Sequence, residues 1–124
     1  MEQLIIHLFG DYVTQTDWMA TNKTKRWYVA FIHALVYSLP FLLLSPSVAA
    51  FLVIFLSHGV IDKLRLARYV IFCKNLITDP SLKWKDCSAT GFHYSRPEWL
   101  TVWLMIITDN TMHLAINYAA LRWL

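Results

Sequence analysis

Residues 27–64 read WYVAFIHALVYSLPFLLLSPSVAAFLVIFLSHGVIDKL, and the fold turns on this stretch. Residues 27–44 form an 18-residue apolar run whose one ionisable side chain is His33. That length is near the minimum for a helix crossing a bilayer, about 17–20 residues. Pro40 predicts a kink, which membrane helices tolerate because neighbouring groups satisfy the freed backbone. Ser45, Pro46 and Ser47 mark a tight turn. From residue 48 to 77 the pattern predicts one long helix, about 45 Å at about 1.5 Å per residue. A hydrocarbon layer is about 30 Å thick, so its second half, KLRLARYVIFCKN, should emerge into headgroups or water.

Upstream, residues 2–20 (EQLIIHLFGDYVTQTDWMA) predict a helix with one apolar face and a polar one carrying His7, Asp11 and Gln15. Such a helix crosses a bilayer only with that polar face packed on protein. Residues 21–26 (TNKTKR) read as a basic connector. Downstream, residues 78–97 are the one polar loop of any length, with Pro80, Gly91 and Pro97 as breakers. Residues 98–124 resume as an apolar helix, with Glu98 and Arg122 at the ends that suit its dipole.

The composition agrees with a membrane setting. Of 124 residues, 57% are hydrophobic and 15% charged, where a soluble domain carries about 25% charged. The mean hydropathy is +0.43. Six Trp and six Tyr fit headgroup anchoring, with Trp27, Trp99 and Trp103 near helix ends. A net charge of +3 gives no argument for nucleic acid. Lys23, Lys25 and Arg26, then Lys63, Arg65, Arg68 and Lys74, then Lys83, Lys85 and Arg96 flank apolar runs on one side. The positive-inside rule makes all three groups cytoplasmic. Cys73 and Cys87 form no disulfide framework or zinc knuckle. Leu4–Phe9 is too short for a signal sequence, and no cleaved targeting segment is expected.

The chemistry lies in three pairs. His7 and Asp11, His58 and Asp62, and Asp109 and His113 each stand four apart, which on a helix means one face, one turn apart. A shuffled chain of this composition would hold roughly half of one such pair. An ionised Asp at mid-bilayer costs about 2.5–3.5 kcal/mol on insertion scales, so such groups persist when paired, hydrated or holding a cation. Imidazole and carboxylate together suit zinc, manganese or iron. His33, about 9 Å inside the basic connector at the helical rise, would add an imidazole at a similar depth. A buried His–Asp hydrogen bond is also a structural device, and a proton relay uses the same residue types. Gln15 is a supporting candidate beside Asp11. Asp17 reads as solvated, Asn110 and Asn117 as hydrogen-bonding across helices, and His93 as a plain loop residue.

The segments HLFGDYVTQTDWMA, HGVIDKLRLARY and DNTMHLAINYAALRW resemble a family of small bacterial and phage membrane proteins known as a domain of unknown function. The resemblance covers nearly the whole chain and implies no activity. More distantly, paired His and Asp on apolar helices are similar to those of bacterial inner-membrane proteins described as metal-dependent hydrolases, whose other His/Asp motifs this sequence lacks.

The sequence thus predicts an all-α integral membrane bundle of about four helices, three of them spanning, with one polar loop, as a single transmembrane domain over residues 1–124. The expected function is a metal-dependent hydrolase at the cytoplasmic leaflet of a bacterial inner membrane, acting on a phosphoester such as a lipid headgroup. Its metal ligands would come from His7, Asp11, His33, His58, Asp62, Asp109 and His113, around a divalent cation, zinc or manganese. Any of Asp11, Asp62 or Asp109 not used as a ligand would serve as general base. Arg65 and Arg68 would hold the substrate phosphate. The alternative is a non-enzymatic transporter, ion or proton path, or membrane regulator built on the same Asp/His network.

Overall fold

The computed structural model describes residues 1–124 and is all-helical, with seven α-helices and no strand. The expected helix over 2–20 is interrupted. Helix α1 (Glu2–Leu8) runs into a π-helical turn at Phe9–Val13, where the Thr14 N–H reaches back to the Phe9 carbonyl at 3.1 Å. The chain then leaves helical geometry. Thr16 restarts it by accepting from the Met19 N–H at 3.3 Å, capping α2 (Asp17–Asn22).

Helix α3 (Trp27–Ser38) tightens at Pro40 into a 3-10 segment, Leu39–Leu44, that ends at Ser45 in the left-handed region with φ 48°. The Ser47 hydroxyl accepts from the Ala50 N–H at 3.0 Å and starts α4 (Val48–Leu64). The long helix expected over 48–77 stops there. Arg65 takes φ 51°, a left-handed residue that redirects the chain into α5 (Leu66–Thr78). No Gly or Pro marks this break. The polar loop contains a one-turn helix, α6 (Trp84–Cys87), and α7 (Glu98–Trp123) follows as expected.

Of the three spanning helices expected, one run, Trp27–Leu44, is long and apolar enough to cross a membrane by length and composition. The break at Arg65 holds α4 to 17 residues. In α7, Asp109, Asn110, His113 and Asn117 dilute the apolar run.

The chain forms two compact units. The first comprises Met1–Leu64 and His113–Leu124. Its core is Tyr37, Phe41, Ala50, Ile54 and Ala120, with Ile6, Leu44 and Leu121 packed against it. Two glycines permit close helix approach. A Cβ on Gly10 would stand 2.9 Å from the Tyr37 carbonyl oxygen, and one on Gly59 would stand 2.9 Å from the Phe31 ring. The outer faces of α3, the 3-10 segment and α4 are apolar, with Leu35, Leu39, Leu42, Leu43, Leu52 and Leu56 exposed.

The second unit, Arg65–Met112, is organised around aromatic stacking and backbone capping. Tyr69 stacks on Trp84 at 4.6 Å, and the Arg68 guanidinium lies over the Trp84 ring. Gly91 has φ 87° and passes so close to the Arg68 carbonyl that no side chain fits there.

Candidate metal centre

The polar side chains of the first unit are concentrated at its centre. His7, Asp11, His33, His58, Asp62 and His113 are all buried. The π turn at Phe9–Val13 sets Asp11. Such a turn shifts the helical register by a residue, and Gly10 lets it press against Tyr37, so Asp11 faces α3. His33 comes from the middle of α3, and His58 and Asp62 from successive turns of α4. His113 comes from α7.

Four of these converge. The ligand-capable atoms of Asp11, His33, His58 and Asp62 all lie within 4.8 Å of one another. His33 Nε2 is 3.2 Å from Asp11 Oδ1 and 3.2 Å from Asp62 Oδ2. His58 Nε2 is 3.0 Å from His33 Nε2, 3.3 Å from Asp62 Oδ2 and 3.7 Å from Asp11 Oδ1. Bonds of about 2.0–2.1 Å to a tetrahedral zinc imply ligand–ligand edges of about 3.3 Å. These five separations bracket that value. The donor set, two imidazoles and two carboxylates, is one that divalent metals accept, so this group could hold a cation.

Proton counting supports the same conclusion. Each Nε2 carries at most one hydrogen, yet that of His33 faces two carboxylates and a second imidazole. The Nδ1 atoms of His33 and His58 are buried without a hydrogen-bond partner. Either tautomer leaves a buried ring nitrogen unsatisfied, so these rings are not oriented by hydrogen bonds behind them. Packing orients them instead. Tyr37 stacks on His58 with centroids 3.6 Å apart, and the His113 ring lies 4.1 Å from His58 on another side.

Asp62 is the hub. Its Oδ2 belongs to the four-atom group, and its Oδ1 lies 3.3 Å from His113 Nε2. Lys23, which reads in the sequence only as part of a basic connector, stands in the same place. Its Nζ is 2.6 Å from Asp62 Oδ2, 3.3 Å from His33 Nε2 and 3.9 Å from Asp11 Oδ1. Tyr37 was the other site neighbour missed, whereas Asn117 makes the hydrogen bond across helices expected of it. Asn117 Nδ2 donates to the Tyr37 hydroxyl at 2.6 Å, and that hydroxyl shares a 2.8 Å hydrogen bond with His7 Nδ1.

The remaining candidates lie outside that four-atom group. His7 is directed to Tyr37 and is outside the four-atom group. Asp109 is half-buried on α7, one turn before His113. Arg65 donates to the Ala89 carbonyl and Arg68 to the Ser88 carbonyl, so both guanidinium groups cap the loop of the second unit. Gln15 lies in the break after the π turn, its Oε1 buried without a partner. Asp17 is exposed, and His93 closes a local turn through the Ser95 hydroxyl at 2.8 Å.

The chain belongs to the family described as protein of unknown function (DUF3307), whose model matches residues 1–120. No curated protein and no solved structure matches it.

Proposed function

We propose that this family member is a membrane-embedded metal-dependent hydrolase whose cation, zinc or manganese, is held by Asp11, His33, His58 and Asp62. The observation that carries the reading is the set of near-tetrahedral separations among four buried donor atoms from three helical segments. The apolar outer faces of α3 and α4, together with the Trp27–Leu44 run, support a membrane setting, which we take to be that of a multi-pass chain in a bacterial inner membrane.

The chemistry needs a coordination position beyond these four donors, where zinc would lower the pKa of a water to about 7. The chain's own groups divide the remaining work. The carboxylates of Asp11 and Asp62 offset the cation's charge where little water does so. His113, whose Nε2–H faces the far oxygen of Asp62, would fix that carboxylate's orientation. A phosphoester, such as a lipid headgroup at the cytoplasmic leaflet, is the substrate class that a buried cation with a neighbouring ammonium would suit.

The test is elemental analysis of detergent-purified protein, paired with phosphate release from a headgroup phosphoester in mixed micelles. About one zinc or manganese per chain is expected, with release that stops when a chelator removes it. Metal at the level of an Asp11→Asn/Asp62→Asn double variant would overturn the reading.

A second reading is a proton or cation path. It is favoured by the buried run His7–Tyr37–Asn117, which continues the polar centre through the His58–Tyr37 stack. Proton flux in liposomes without bound metal would put it ahead.

A further inference from the structure

The metal reading leaves one charged group unexplained. Lys23 stands where a cation would, yet it lies on the connector between α2 and α3 and not on a helix of the core. Its ammonium covers three of the four donor atoms, Asp62 Oδ2, His33 Nε2 and Asp11 Oδ1, at 2.6, 3.3 and 3.9 Å. Its side chain retains 17% exposure, whereas those of His33 and His58 retain 0% and 1%. The Lys23 face is therefore the side of the group nearest solvent. The connector is anchored next to it, because Lys63 Nζ donates to the Thr24 carbonyl at 3.0 Å and lies over the Trp27 ring.

An ammonium and a divalent cation cannot both sit against these carboxylates, since like charges at this spacing in a poorly hydrated site repel strongly. Lysine has a long flexible stem, and this one has a route outward. We propose that Lys23 is the anion-recognising residue of the centre: its ammonium occupies the cation's place in the metal-free protein and, once displaced by the metal, holds an anionic ligand against the metal's solvent side. This inference rests on the metal reading and adds to it a ligand class, anionic oxygen groups such as phosphate, and the residue that selects them. Arg65 and Arg68, engaged with carbonyls of the second unit, leave that role open.

The experiment uses the full-length protein in detergent, with Mn2+ or Zn2+ as the titrant, with and without inorganic phosphate. Lys23→Met keeps the stem and removes the charge. Lys25→Met, exposed on the same connector, is the control. Lys23→Met should bind the metal at least tenfold more tightly than the parent while melting at a lower temperature without metal. A purely structural lysine would lower both. Phosphate should tighten metal binding in the parent and in Lys25→Met, and have no such effect in Lys23→Met. Metal binding unchanged or weakened in Lys23→Met, or a retained phosphate effect there, overturns the proposal while the metal centre stands. Metal binding in neither parent nor Lys23→Met overturns both. Binding in Lys23→Met alone supports the competing-cation role in its strongest form.

Discussion

Asp62 and Asp79 show what separates the two units. Asp62 is buried among His58, one turn before it, and His33, His113 and Lys23 from other parts of the chain. Asp79 is exposed and takes its hydrogen bonds from Ser81, two residues away. Those bonds, with His93 and Arg96 nearby, hold its carboxyl below the usual range. The histidines divide in the same way: His33 and His58 meet across helices, while His93 bonds to Ser95. In the second unit Asp79 and His93 bond within their own turns, and Arg65 and Arg68 donate to loop carbonyls. In the first the buried carboxylates and imidazoles meet one another at a point that no single segment specifies. A residue type therefore says little about chemistry until its partners are known to be distant in sequence and dry.

The sharpest way to break this contrast is to make the same substitution in both units. Asp62→Asn removes a full charge but keeps the shape. Metal affinity should fall by at least about 100-fold, because an anionic ligand is lost where water cannot replace it. Asp79→Asn should leave metal affinity as in the parent. Equilibrium metal titration of the two folded variants decides the matter. Equal effects, or none, would mean that the first unit's cluster is a structural network like those of the second.

Glycines offer a second comparison. Gly10→Ala would push a Cβ to 2.9 Å from the Tyr37 carbonyl and displace the turn that carries Asp11. The overpacking should cost about 1–3 kcal/mol, with metal affinity falling alongside the melting temperature. Gly91→Ala meets the Arg68 backbone and a φ of 87°, so it should destabilise comparably. Its metal affinity should nevertheless hold. Thermal melts with and without metal distinguish the two. Metal loss in Gly91→Ala would show that the centre depends on more than its own unit.

The same comparison explains what was legible beforehand. His58 and Asp62 were readable because α4 is regular there, so a spacing of four does mean a shared face. His33 was readable as the lone ionisable group in an apolar run. The His7–Asp11 pair satisfied the same spacing rule, but the π turn from Phe9 to Val13 intervenes and rotates Asp11 toward His33, leaving His7 to Tyr37. Sequence periodicity assumes 3.6 residues per turn and cannot register such a turn. Lys23 was hidden for another reason. A lysine in a basic connector looks the same whether it serves as a topology signal or reaches into a carboxylate pair. The break at Arg65 carried no sequence signal, since a non-glycine left-handed residue is set by its surroundings. Helix α7, by contrast, matched its expected bounds to within a residue at its end.

The smallest expected effect concerns the two thiols, and it bears on orientation. Cys73 is exposed on α5, while Cys87 is buried at the end of α6. Burial, with Asp86 and Asp79 nearby, pushes the Cys87 thiol above its ordinary range. The thiolate is the reactive form, so Cys87 should alkylate at least about tenfold more slowly than Cys73 near neutral pH. Raising the pH should narrow the gap, because the group with the raised pKa gains thiolate last; unfolding should nearly abolish it. Rates read by mass spectrometry over a pH series test this without perturbing the fold. The consequence is that resistance of Cys87 to a membrane-impermeant reagent says nothing about which side of a membrane it faces. Cys73 is the informative probe. With the basic segments cytoplasmic, Cys73 in intact cells should be protected from such a reagent and become reactive once the membrane is opened. Ready labelling of Cys73 from outside would reverse the proposed orientation, and with it the placing of the metal centre toward the cytoplasmic leaflet.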